Sequence, residues 1–399
     1  MNITTIICEY NPFHNGHKYQ IEKLKKGGTT HVIAIMSGNF VQRGSISIIN
    51  KYAKVRSALS EGGVDVVIEL PTVYSCSCAE RFAYSGIYLT KALGCVDNIS
   101  FGCEDNNIET FNEIASILLS DEYNEKIKSQ LKNNISFANI RKNVINEILD
   151  SDYSEILNKP NNILALEYIK AIKKLELDIN IIPINRVGSA HDSNIVTDEH
   201  FSSASLLRKM IEGNESDIKS YMPASSYDII REEISNGCAP ASIYNIERAM
   251  LAKFRRMSKE EIKKLPEISE GLENRIYESF QKATSIDQIY NFIKSKRYSM
   301  SRIRRIAMYA FLDIYENVQK RNVPYIRILG FNSNGKKILR LIKEKSTIPL
   351  VNRVSDIEFL DELSKEVFKL ESLASDMFNL AIPKPTQCGT EYKRKMIII

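Results

Sequence analysis

The chain predicts an α/β fold in which a doubly wound parallel sheet occupies the N-terminal half and a mainly helical, basic segment with a small α/β portion follows. Three observations carry that expectation. Short apolar runs alternate with helical stretches over the first 110 residues, the runs are continuous rather than alternating, and charge is divided unevenly along the chain.

The runs Ile3 to Cys8, His31 to Met36 and Val64 to Leu70 are separated by helical stretches Gly16 to Lys26 and Lys51 to Ser60, a βαβαβ order. Uninterrupted apolar strands are what a parallel sheet covered by helices on both faces requires. A fourth strand is expected over Asn98 to Phe101, ending at Gly102, and a fifth over Ile179 to Asn185, ending at Arg186. Pro183 lies inside the fifth and favours an edge position or a bulge, because proline cannot donate to the ladder. Between these two, Ile108 to Lys173 reads as mostly helical, broken at Lys159-Pro160-Asn161-Asn162. A helix from about Ser203 to Gly213 closes the first domain, so the expected division is 1–213 and 214–399, with Met222-Pro223 and Gly237-Cys238-Ala239-Pro240 punctuating the boundary. Farther on, Tyr325 to Gly330 and Ile348 to Val351 read as strands flanking a helix over Gly335 to Lys345.

With 399 residues, 43% hydrophobic and 26% charged, the chain is neither disordered nor fibrous in composition. No apolar run approaches the roughly 20 residues that span a bilayer. Met1 to Glu9 lacks a basic leader region, so a cytoplasmic protein with no membrane partner is expected. Seven cysteines, an odd number without a CxxC pair, signal neither a disulfide framework nor a zinc site. Cys76-Ser77-Cys78 would put both thiols on one face of a strand, where buried apolar cysteines are the better expectation. Residues 251–350 hold 22 Lys and Arg against 10 Asp and Glu, a surplus of 12 in a chain of net charge +5, which leaves −7 for the rest. Lys and Arg on helices usually form a solvated face, but a block this basic, interleaved with Tyr298, Tyr309 and Tyr325, points to RNA; DNA is not expected.

In open α/β sheets, ligands bind beyond the carboxyl ends of the strands. Tyr10 to His17, Ser37 to Gly44, Gly102 to Asp105 and Arg186 to Asp192 all lie there. Within the first, His14-Asn15-Gly16-His17 opens a helix directly after a strand. Helical N–H groups and dipole attract phosphates, Gly16 permits close approach, and histidines three apart share a face from which both can donate. Negative charge growing on an attacked α-phosphate is stabilised by such donors, each worth about 3 to 4 kcal/mol. A metal pair or ordinary surface residues are the alternatives, but for a metal His31, His191 and His200 complete no ligand set. His191-Asp192 could orient a base, although a turn with an Asp cap is the commoner use of such a pair.

His14-Asn15-Gly16-His17 resembles the HxGH signature of the nucleotidyltransferase superfamily, and Ser203-Ala204-Ser205-Leu206-Leu207-Arg208 resembles its second motif, with Ala204 where a hydroxyl is frequent. Closer still, Glu9-Tyr10-Asn11-Pro12-Phe13-His14-Asn15-Gly16-His17 and Met36-Ser37-Gly38-Asn39-Phe40-Val41-Gln42-Arg43-Gly44 look like the tRNA(Met) cytidine acetate ligase family, and Ile328-Leu329-Gly330-Phe331-Asn332 agrees. The resemblance implies a Rossmann-like, HUP-type domain and an enzyme that uses ATP, with Mg2+ expected, to activate acetate as acetyl-adenylate. The acetyl group then passes to N4 of the wobble cytidine (position 34) of elongator tRNA(Met). It implies an ATP site of Ile7, Cys8, Glu9, Tyr10, Asn11, Pro12, Phe13, His14, Asn15, Gly16, His17, Lys18, Tyr19 and Gln20, with Gly102, Asn162 and Arg186; Ser203, Ser205 and Arg208 would hold the β- and γ-phosphates. His14 and His17 are the expected catalytic residues, and Arg297, Arg302, Arg304 and Arg305 the expected tRNA contacts. Arg43 and Lys51 lie near the same strand ends and are weaker candidates for pyrophosphate or acetate. Read without the resemblance, the residues leave open a small-molecule adenylyltransferase or cytidylyltransferase and a non-catalytic nucleotide-binding RNA factor.

Overall fold

A computed structural model describes residues 1–60, 63–105, 107–130, 137–186, 200–213, 216–269 and 271–399. Strands β1 (Ile3–Cys8), β2 (His31–Ser37), β5 (Val66–Leu70), β6 (Asn98–Cys103) and β7 (Asn180–Asn185) form the expected parallel sheet, with a small antiparallel hairpin of β3 (Phe40–Val41) and β4 (Ser45–Ile46) between β2 and β5. The order β5-β2-β1-β6-β7 reverses direction at β1, so the switch point lies between β1 and β6. Alternate residues of each strand feed opposite cores: Ile3 and Ile7 of β1 join the larger cluster, Ile6 and Cys8 the smaller one beneath the Asn15–Lys26 and Lys51–Ser60 helices. Pro183 sits in β7, which among the described residues pairs only with β6 and forms the edge, as proline's missing donor demands.

The sheet does not stop where the first domain was expected to. β8 (Ile326–Phe331) lies antiparallel against β5, and β9 (Leu350–Val351) and β10 (Ile397–Ile398) pair in parallel with β8, giving an eight-stranded mixed sheet. Residue 213 therefore falls between strands of one sheet, with β1, β2 and β5 to β7 before it and β8 to β10 after it. The edge of β5 offers unpaired backbone groups, and β8 covers them.

The join is ionic at its centre. Lys51 Nζ lies 2.5 Å from Glu69, 2.8 Å from Glu371 and 3.0 Å from Glu391, and Arg327 lies 3.0 Å from Glu69 and 2.7 Å from Glu391, all five side chains buried. Glu371 comes from the long Glu362–Ala381 helix and Glu391 from a short helix, Thr390–Lys393, so the C-terminal segment is clamped onto the first sheet. Three carboxylates face two cations. Burial and the neighbouring Glu371 push Glu69 up to about 7, whereas the carboxylates of Glu371, Glu391 and Glu69 outweigh burial and hold Lys51 well above its usual value. Cys76 and Cys78 lie not on a strand but around the turn between the helices Thr72–Ser75 and Ala79–Ala92, and both are free thiols.

Candidate active site

One cavity of about 270 Å³ opens beyond the carboxyl ends of β1 and β6. The first turns of four helices reach it, through Gly16 of Asn15–Lys26, Ala79 of Ala79–Ala92, Pro160 and Asn161 of Pro160–Lys174, and Ala204 of Ala204–Glu212. Each presents the positive end of its dipole to one space. Arg43, Arg186 and Arg208 add cationic side chains to the lining. A polyanion is the ligand that such a lining fits.

At its floor, His14 caps the first helix and adjoins His17, the rings stacked 3.8 Å apart. His14 Nδ1 accepts from the Gly16 N–H at 3.0 Å, and His17 Nδ1 accepts from the His14 N–H at 3.2 Å. An imidazole nitrogen that accepts carries no proton, so each neutral ring must carry its hydrogen on Nε2. Burial, then the charges of Arg186 and Arg208, bring His14 down to about 3, and burial with His14 and Arg186 places His17 well below the usual value. Both are neutral Nε2–H donors at pH 7. Gly16 has a use beyond ligand access: a Cβ there would lie 2.8 Å from His14 Cε1, so only glycine leaves room for the capping ring.

The loop that carries them is tied from several sides. Asn11 Oδ1 accepts from Ile48 N at 2.9 Å, Arg208 Nη1 donates to Asn11 O at 2.8 Å, and the Glu9 carboxylate accepts from Gln42 N at 2.9 Å. Arg208 thus joins the second motif to the first. Gln42 and Arg43 form the tip of the β3–β4 hairpin together with Gly44, whose φ of +70° ends a three-residue loop.

Most of the residues expected for the nucleotide converge here: Ile7 to Asn11, His14, Gly16, His17, Tyr19, Gln20, Gly102, Arg186 and Arg208 line the cavity. Others of that set do not. Phe13 is buried against Tyr10, Asn15 Nδ2 is engaged by the His200 and Ser220 carbonyls, and Pro12 and Lys18 stand outside the lining. Asn162, fully buried, accepts from Glu104 N and Asp105 N at 2.9 and 3.1 Å and so shapes the turn after β6, while its neighbour Asn161 faces the cavity. Ser203 caps its helix by accepting from Leu206 N at 3.1 Å, with Ser205 Oγ 3.1 Å from its hydroxyl, and Ser202 and Ala204 line the cavity in their place. Lys51 is consumed by its three carboxylates and is no anion ligand. His191 and Asp192 lie outside the described residues. Sequence reasoning missed Phe82, Phe101, Leu164 and Tyr168 of the lining; as single apolar or aromatic residues inside regular elements, they carry no local signal.

The arginines expected to bind RNA divide in two. Arg297 and Arg304 are exposed, Arg304 lying over the Tyr290 ring. Arg305 is a correction: it is 6% exposed and forms a two-pronged pair with Glu267, both contacts 2.6 Å, so its charge is spent inside the fold. Arg302 is half-buried, with Nε donating to Glu267 O at 3.1 Å. Among the described residues no group of three or more His, Cys, Asp and Glu could hold a metal, and no helix is long and apolar enough to cross a membrane.

The model of the HIGH nucleotidyl transferase family matches residues 1–393. Proteins named tRNA(Met) cytidine acetate ligase are 36% identical over 404 residues in Thermoanaerobacter sp., covering all of both chains, and 39% identical over 400 residues in Clostridium kluyveri, covering 95% of each. The chain belongs to the tRNA(Met) cytidine acetate ligase family. Within the family, the crystal structure of apo Thermotoga maritima TmcAL superposes with a TM-score of 0.95 at 31% identity, and that bound with alpha-thio ATP with 0.91 at 30%, each covering both chains fully. Coverage of the full length places the C-terminal segment within the same family fold rather than as an appended module.

Proposed function

We propose that the protein is a cytoplasmic ATP-dependent ligase that acetylates N4 of the wobble cytidine of elongator tRNA(Met). The observation that carries this reading is the pair of neutral imidazoles, both fixed as Nε2–H donors, at the floor of a cavity rimmed by four helix N-termini. ATP lies with its α-phosphate over His14 and His17. An acetate oxygen attacks the α-phosphorus, the bond to the bridging oxygen breaks, and pyrophosphate leaves. Charge gathers on the α-phosphoryl and bridging oxygens, where donors already in position stabilise it. Neutral donors suit the task, since a protonated base at this floor would bind the triphosphate and the transition state alike.

Acetyl-adenylate is a mixed anhydride. The exocyclic amine of the cytidine attacks its carbonyl carbon, AMP departs, and the amine loses a proton. No cysteine is needed as an acyl carrier, and burial pushes the Cys8 thiol at the cavity up, out of the nucleophilic range. Mg2+, expected with a triphosphate, would ride on phosphate oxygens and water, since Glu9 is the one described carboxylate in the lining. When bound it would neutralise phosphate charge. Exposed Arg297 and Arg304 meet the tRNA backbone, and Gly44 keeps Arg304 near the site: its Cα packs so tightly on the Met300–Leu312 helix that a Cβ would lie 2.6 Å from Arg304 C. A splayed anticodon base lowers the cost of presenting the amine. Supplying ATP, labelled acetate and tRNA(Met) tests the reading: label should enter acetyl-adenylate and then N4-acetylcytidine, and a protein that adenylates some other small molecule instead would refute it.

A further inference from the structure

Lys54 rises from the Lys51–Ser60 helix and ends, fully buried, beneath the carboxyl edge of β1 and β2. Its Nζ donates to Glu9 O at 2.9 Å, Ser37 O at 2.8 Å and Gly38 O at 2.7 Å. An ammonium has three hydrogens, and each here has its own carbonyl. These contacts are carbonyl oxygens rather than a carboxylate, an expensive way to keep a cation out of water.

The three carbonyls belong to the two segments that build the reacting end of the cavity. Glu9 is the last residue before Tyr10, which holds φ of 45°, a region uncommon for a residue with a bulky side chain, and from which the chain enters the His14 turn. Ser37 and Gly38 lead into the hairpin whose tip is Gln42 and Arg43, and Gln42 N in turn donates to the Glu9 carboxylate. β1 is thus fastened to β2 on the side away from the switch point, which lies between β1 and β6.

We propose that Lys54 is a positioning residue for adenylation: bound to the three carbonyls, it holds the Glu9–His14 turn at the height from which the His14 and His17 Nε2–H groups meet the α-phosphate. The proposal rests on the adenylating reading above. The charged form is the competent one, because a neutral amine has two hydrogens for three carbonyls and turns a lone pair toward the third. Burial brings Lys54 down to about 8, and the groups that face it are Glu9 and Cys8 of the β1 end, Lys51 of its own helix and Glu371 of the Glu362–Ala381 helix. Of these, Lys51 assists the lowering and the others oppose it.

The test measures pyrophosphate release from ATP and acetate by the full chain between pH 6.5 and 9.5, for the wild type, Lys54→Arg and Lys54→Met, with ATP affinity and circular dichroism followed alongside. The wild-type kcat should hold to about pH 7.5 and then fall, approaching tenfold per unit well above pH 8, with KM for ATP changed less than about threefold. Lys54→Arg, which stays charged but cannot reproduce the tripod, should lose about 100-fold in kcat and the alkaline fall together. A flat wild-type profile overturns the proposal without any variant having to fold. So does an alkaline fall that persists in a folded Lys54→Arg protein, or a Lys54→Met protein with wild-type kcat. No pyrophosphate from the wild type at any pH is a different result: it overturns the adenylating reading, and this proposal with it.

Discussion

At the residue scale, the two histidines are distinguished less by their spacing than by what their Nδ1 atoms accept. The backbone N–H groups of Gly16 and His14 assign both tautomers, so both Nε2 hydrogens are fixed before any ligand arrives. His14→Ala or His17→Ala should each cost about 3 kcal/mol of activation free energy in adenylate formation, read as a hundredfold or greater loss of kcat. Binding of tRNA should survive; equal loss of both would make the histidines structural. Gly16→Ala should act on the same step, by displacing the His14 ring from the space its Cβ would enter. Acid stability follows from the same burial. His14 binds its proton near pH 3 when folded and near 6.5 when unfolded, so between those values the unfolded chain holds more protons and stability falls as pH falls. The decline should be about 1 kcal/mol per pH unit from this group, with His17 adding in the same direction, and denaturant midpoints across pH 4 to 7 will measure it. The HxGH spacing was legible in the sequence because it is local. Its tautomer logic was not, because it depends on a backbone turn, and neither was Lys54, a lysine in a helix whose three acceptors lie up to 45 residues away.

Among the elements, the strand-helix alternation of the first 110 residues was legible because parallel strands buried on both faces leave unbroken apolar runs. The helix at Ser203 was legible through its cap and its terminal Gly213. What periodicity could not reveal is pairing. Nothing in Ile326–Phe331 announces that it will lie antiparallel on β5, and the clamp that accompanies it joins residues as far apart as Lys51 and Glu391. Two glycines of the Met36 to Gly44 stretch, which looked functional in sequence, serve this clamp and its surroundings. Gly38 passes over the cluster where a Cβ would stand 3.1 Å from Glu371 Oε1, and Gly44 meets the Arg304–Arg305 backbone. Lys51→Met should destabilise the fold by about 3 to 5 kcal/mol, because it leaves three buried carboxylates with one cation. Urea unfolding at pH 7 checks this, and a change under 1 kcal/mol would show that the carboxylates relax to protonated, hydrogen-bonded forms. Gly44→Ala should cost about 3 kcal/mol, through its left-handed φ and the collision with the Met300–Leu312 helix.

Across the whole molecule, the sheet and the clamp join a cavity lined for a polyanion to the basic segment 251–350, which the proposed function reads as an ATP site and an RNA flank. The charge surplus was visible in sequence, but which cations face outward was not, since Arg305 and Arg297 look alike until Glu267 is placed. Replacing Arg297 and Arg304 together by Gln should weaken tRNA binding and flatten its salt dependence while sparing adenylate formation, whereas Arg305→Gln should lower stability first. The most direct measurement remains the fate of acetate. Purified protein, ATP and labelled acetate should yield acetyl-adenylate with one pyrophosphate, and addition of tRNA(Met) should move the label to N4-acetylcytidine with release of AMP. Label that enters neither product, under conditions where ATP is bound, would contradict the account.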